Sequence, residues 1–173
     1  PPSIRAFRWA REFADARRCY TQAIALGDQL AVPRTRAEAL WGMTRAHGFA
    51  GDLDSARRAA QEGMEIARSA GDVWVAALTQ MALGASFVLA RREKNAIENL
   101  SDALAAMRAC GDTFGQCAAR VWLALAHWRL NQRERALTHL QTALALAQTH
   151  HYDYLFATRT LLALSVLRLR ATT

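Results

Sequence analysis

The residues that first suggest chemistry are the adjacent histidines His150-His151 and the three cysteines Cys19, Cys110 and Cys117. An imidazole near a thiolate can ligate a metal or activate a nucleophile. Both roles need a spacing that brings the groups onto one helix face or into one loop. That spacing is missing here. No CxxC pair occurs, Gly111-Asp112 interrupts any helix between Cys110 and Cys117, and helical spacing sets no His or Cys partner for His150-His151. No phosphate-binding loop, nucleophile elbow or zincin sequence is present either. The expectation is a non-enzymatic chain with no catalytic residue, no metal and no cofactor. Buried thiols and an unpaired cysteine count suit a reducing, cytoplasmic setting.

Arginine is the other residue with chemical reach. The formal net charge is +7, and Lys94 is the sole lysine among 22 basic residues. Such a bias suits phosphate or carboxylate recognition, and it also suits the codon usage of a GC-rich bacterial genome. Arginines cluster at Arg17-Arg18, Arg57-Arg58, Arg91-Arg92 and Arg133 with Arg135. Asp15, Asp54, Glu93 and Glu134 stand beside them, which reads as a solvated, partly paired helix face rather than a track for nucleic acid. No secretory signal pattern and no uncharged apolar run of membrane-spanning length appears.

The elements that position these groups follow from composition and period. Apolar residues make up 52% of 173, and the three prolines are Pro1, Pro2 and Pro33. Alanine and leucine dominate over β-branched residues, which favours helix. The segment "GDLDSARRAAQEGMEIARSAGD" at Gly51–Asp72 is one copy of a 40-residue repeat. Small residues recur at Ala16, Ala56, Ala96 and Ala136, and aromatics at Trp74, Phe114 and Tyr154. Each unit is expected to hold two helices. One runs from Leu53 to Ser69, with counterparts at Glu93 to Ala109 and Arg133 to Thr149. The other runs from Val73 to Ala90, with counterparts at Arg34 to Phe49, Thr113 to Leu130 and Asp153 to Arg170. Asp72 and Asp112 are placed to cap helices, Gly71 and Gly111 to end them, and Asn131 with Glu134 has capping-box spacing. In the first copy, the early Gly27-Asp28 and Pro33 suggest a helix that ends early or bends. The stripes Cys117, Val121, Leu125, Trp128 and Phe114, Ala118, Trp122, Leu125 make one helix apolar around much of its circumference, as in a stacked array.

These columns resemble the tetratricopeptide repeat. The family's small-large-small set on the second helix is matched by Ala16, Tyr20, Ala23, then Ala56, Ala60, Gly63, then Ala96, Leu100, Ala103, then Ala136, Leu140, Ala143. The first-helix small position is matched at Gly84 and Ala124 but is Thr44 in the earlier copy, and the aromatic column reads Phe7, His47, Phe87, His127. The usual unit has about 34 residues, so this one is longer. Long, proline-poor units of this kind resemble the helical-repeat regions of maltose-regulator-type, LuxR-type bacterial transcriptional activators. The resemblance implies an all-α, right-handed solenoid of about four helix hairpins, forming one domain over residues 1–173 and part of a longer protein. It implies a protein-interaction or ligand-sensing role in a transcriptional regulator. A stand-alone peptide-binding scaffold is the alternative.

By the same resemblance, the first helices line a concave groove. Its columns include Trp41, Met81 and Val121; Arg5, Arg45 and Leu125; Arg8, Val88 and Trp128; and Trp9, Phe49 and Arg129. Arginine with aromatic rings suits an acidic or carboxylate-ended peptide or an anionic inducer. The apolar centre of the groove calls for a partner to cover it. The last helix exposes Leu161, Leu162, Leu164 and Leu167, which points to a homodimer through the C-terminal helix. Neither nucleic acid nor membrane is an expected direct partner.

Overall fold

In a computed structural model of the chain, the backbone is described for residues 4–152 and the side chains for residues 13–152. The expected helix Asp153 to Arg170, and with it the proposed dimer contact, lies outside the described residues. Among the described residues there are seven helices and no strand: α1 (Ile4–Gln29), α2 (Pro33–Phe49), α3 (Leu53–Ser69), α4 (Val73–Leu89), α5 (Glu93–Ala109), α6 (Thr113–Arg129) and α7 (Arg133–Thr149). None of them is long and apolar enough to cross a membrane. The 40-residue period resolves into two equal halves. From α2 onward every helix has 17 residues and every joint has three.

The joint explains this regularity. Its second residue is left-handed in every case, at Ala31, Gly51, Gly71, Arg91, Gly111, Asn131 and His151. That turn lets the third residue donate its backbone N–H to a carbonyl five residues back. Asp52 reaches His47 at 2.9 Å, Asp112 reaches Met107 at 2.9 Å and Tyr152 reaches Ala147 at 2.8 Å. This hydrogen-bond pattern satisfies the free carbonyls at a helix end. The same third residue then becomes the N-cap of the next helix. The carboxylates of Asp52, Asp72 and Asp112 accept from the N–H of Ser55, Val75 and Gly115 at 3.0, 3.0 and 2.8 Å. Three residues thus close one helix and open another.

Two expectations at the joints are corrected. Asn131 is not an N-cap: it is the left-handed residue that ends α6 (φ 63°), and Gln132 stands at the N-cap of α7 with no side-chain bond to the helix N–H groups. Asparagine tolerates the left-handed region better than most residues. Nor does the first helix end at Gly27. α1 passes through it to Gln29, and Pro33 falls at the first turn of α2, where its missing N–H does no harm. Gly27 serves close approach instead: a Cβ there would lie 3.1 Å from the backbone nitrogen of Arg36. α1 is also unbroken at Ala10-Arg11-Glu12, where the repeat calls for a joint. Those residues offer no glycine or capping residue to stop a helix.

Each helix packs against its sequence neighbours, and the even-numbered helices also pack on one another. Large and small side chains alternate at these contacts. A Cβ on Gly84 would lie 2.6 Å from Cγ of Leu100, and one on Gly42 would lie 2.2 Å from the Tyr20 ring. Ala124 and Leu140 meet in the same way between α6 and α7. Gly48 lets α2 lie along α4, because a Cβ there would fall 1.9 Å from Oγ of Ser86. One unit later the same register holds Val88 and Ala126, both fully buried, and α4 and α6 touch over a shorter length.

Two stability predictions follow from this geometry. Gly48→Ala should lower the unfolding free energy by about 1–3 kcal/mol through overpacking, despite the better helix propensity of alanine. Ser86→Gly in the same chain should recover part of it in urea titration. Arg91→Gly removes left-handed strain at a joint, offset in part by added freedom in the unfolded chain. It should raise the thermal midpoint by about 2 °C.

Candidate functional site

The even helices carry the residues singled out for a groove. Trp41 and Arg45 lie one turn apart on α2, so they share a face. The Arg45 guanidinium sits over the Trp41 ring at 5.4 Å. Arg45 is exposed, while Trp41 is half-buried against the main core, its indole N–H sealed from solvent and without a partner among the described residues. Phe49 ends the same helix. It stacks on Phe13 of α1 and meets Trp122 of α6 edge-on, with ring centroids 6.3 Å apart in both cases. Trp122 stands in none of the expected groove columns. The sequence assigned it to the second apolar stripe of α6, and no local signal pairs it with Phe49 two units away.

The apolar centre of the expected groove is filled by the protein itself. Residues 82–88 of α4 are all buried. Seven successive helical residues cover the full circumference, so no face of α4 is open there. Val88 is fully buried and belongs to the core, and Met81 and Leu125 pack half-buried against the same core. Val121 and Trp128 turn instead toward α7, beside Ala124 and Leu140. Arg133 of α7 lies over the Trp128 ring at 5.7 Å. Of the nine described groove residues, Val88 is buried, Arg45 and Phe49 are exposed, and the other six are half-buried. Trp41, Arg45 and Phe49 make one patch, and Val121 with Trp128 makes another. Arg5, Arg8 and Trp9 belong to the unbroken N-terminal stretch of α1, and their side chains lie outside the described residues.

Arg129, expected in the groove, is a brace. Its guanidinium donates to the Val88 carbonyl at the end of α4 and stands 3.7 Å from the Glu93 carboxylate at the start of α5. This is the joint that has Arg91-Arg92 where three others have Gly-Asp. A second set of struts links the starts of successive even helices. Arg34 pairs with Asp72 at 3.2 Å, the Trp74 indole donates to Asp112 at 2.8 Å, and the Thr113 and Tyr152 hydroxyls share a hydrogen bond of 2.8 Å.

The cysteines divide by environment. Cys117 is buried, its thiol donating to the Ala143 carbonyl at 3.3 Å, and burial pushes it up to about 11. It stays protonated and is no nucleophile. Cys19 and Cys110 are exposed, which corrects the expectation that all three thiols are buried. Among the described residues no group of three metal-ligating side chains comes together. His127 is buried and stacks on His139 of α7 with ring centroids 5.3 Å apart, and its Nδ1 pairs with the Gln132 side-chain oxygen at 2.7 Å. His139 was not selected from sequence, since it has no partner at helical spacing on its own helix. Its Nδ1 is sealed without a partner.

With this geometry in hand, the class is that of an all-α chain built from repeated helical hairpins. No protein-family model and no curated protein matches it.

Burial holds His139 down to about 4, and the charges of His127, Arg120 and Arg108 act in the same direction. The unfolded chain takes up this proton near the ordinary value of 6.5, so it binds more protons than the folded one between the two values. Stability present at neutral pH should therefore be lost as pH falls from about 6.5 to about 4. Comparing urea midpoints of the wild type and His139→Gln at pH 7 and pH 5 checks this: the variant should show the smaller drop.

Proposed function

We propose that this chain is a non-enzymatic interaction module, a right-handed solenoid of tetratricopeptide-like hairpins that binds an acidic peptide over Trp41 and Arg45. One observation carries the reading. An exposed guanidinium is held over a half-buried indole, and among the described residues no carboxylate pairs with Arg45. Guanidinium recognises carboxylate in a fixed geometry, and the ring beside it supplies apolar area, the combination that concentrates binding energy at interfaces. Phe49, 39% exposed at the end of the same helix, extends the patch. The even helices are the first helices of each hairpin, the side that the family resemblance assigns to ligands. The long, arginine-rich units support a place for the module in a large bacterial transcriptional regulator, where it senses a partner protein or inducer. A nucleotide-binding segment before it and a helix-turn-helix after it in the parent gene are the expected neighbours.

The test is a peptide array in which acidic and carboxylate-ended sequences are compared with amidated and neutral controls. Acidic peptides should bind best, and more weakly at high salt. Arg45→Ala should weaken the best binder by about tenfold or more, whereas Arg57→Ala, on exposed α3 surface, should not. An array with no binder, or equal affinity in wild type and Arg45→Ala, would overturn the reading.

A further inference from the structure

The repeat provides its own control for a second site. At the level where α2, α4 and α6 pass between successive odd-numbered helices, two positions recur forty residues apart, one near the end of the preceding odd helix and one on the following odd helix, with a polar residue of the even helix between them. In the first unit they are Asp28, Arg36 one turn before Leu40, and Glu62. Arg36 bonds to both carboxylates, to Asp28 at 2.9 Å and to Glu62. In the second unit they are Arg68, Gln80 and Asp102, with the Gln80 amide donating to Asp102 at 3.2 Å. In the third unit they are Arg108, Arg120 and Thr142. The carboxylate of the first two units is gone, and the cations have doubled.

Arg120 feels the consequence. It is 7% exposed, and its Nε is sealed from solvent with no hydrogen-bond partner among the described residues. Among the described residues no carboxylate pairs with it; Arg108 of α5 acts on it as a like charge, and Cys117 precedes it by one turn on α6. His139 of α7 stands in the same field, and the Thr142 hydroxyl is committed to the Thr138 carbonyl at 2.8 Å. A guanidinium does not shed its proton to escape burial, so an unpaired one of this kind calls for an anion. One unit earlier, at the equivalent level, Arg68 and Gln80 border a pocket of about 260 Å³.

We propose that Arg120 of α6 and Arg108 of α5 together bind a phosphoryl group. Two guanidiniums match the double charge of a phosphate better than the single charge of a carboxylate. The phosphoryl group supplies the negative charge that Asp102 supplies one unit earlier. This inference stands apart from the peptide reading, since none of its residues belongs to the Trp41 and Arg45 patch.

The experiment is calorimetric titration of the 173-residue chain with inorganic phosphate and, separately, glycerol phosphate, at constant ionic strength set with chloride. Wild type should bind at least one of them saturably, and the tighter of the two distinguishes free phosphate from a phosphate ester as the natural ligand. Binding should also raise the titration midpoint of His139 followed by NMR, because the anion offsets the nearby cations. Arg120→Gln recreates the uncharged second-unit residue and should weaken binding by about tenfold or more. Thr142→Asp restores the missing carboxylate and should abolish binding while leaving the chain at least as stable. Arg108→Gln, at an exposed position, weakens binding without threatening the fold. The absence of saturable binding to wild type, or wild-type affinity in both Arg120→Gln and Arg108→Gln, overturns the proposal.

Discussion

The three-residue joint is the constraint on which the rest of the molecule depends. A left-handed middle residue turns the chain so that the third residue seals the carbonyls behind it and caps the N–H groups ahead of it. A joint this short fixes where each helix starts, and the next joint fixes where it stops. Every helix from α2 onward therefore runs about 25 Å, and equivalent residues return at the same height in each unit. The small-large pairs, the struts from Arg34 to Asp72 and from Trp74 to Asp112, and the recurring charged positions all rely on that constant height. Glycine and aspartate are the natural choices for the joint, yet the geometry survives at Arg91-Arg92. There the Arg129 brace engages the last turn of α4 from the next even helix.

Close approach then decides the shape of the even-helix face. Gly48 removes the side chain that would hold α2 away from α4, while Val88 keeps α6 at greater distance in the next unit. The second half of α4 is enclosed on all sides, and Phe49 reaches Trp122. An apolar groove that looked costly to expose in water is thus largely lined inward by the chain's own core. Its exposed members among the described residues are Arg45 and Phe49.

Repetition with variation accounts for the charges. The same level of successive units carries Arg36 paired with two acids, then, at positions forty apart, Gln80 bonded to Asp102 and Arg120 with no acid among the described residues. The scaffold tolerates each, because the joints and the small-large contacts hold the helices regardless of what stands in the clefts. Variation at such positions is where a repeat protein acquires individual binding sites without altering its architecture.

Much of this architecture was legible in the sequence, because it rests on local rules. Helix boundaries at Leu53, Glu93 and Arg133, the caps at Asp72 and Asp112, and the left-handed Gly71 and Gly111 follow from residue type and period alone. Helix propensity, capping and φ preference act within a few residues, so one chain is enough to read them. What the sequence did not reveal depends on distance between units. That Val88 and Arg129 serve the core and a joint, that Trp122 meets Phe49, and that His139 stacks on His127 are matters of how far apart the helices stand. That distance is set by the volumes packed between helices, such as Gly48 against Ser86, and periodicity carries no record of it. Sequence alone determined an all-helical repeat and its punctuation; tertiary packing decided which side chains were left for function.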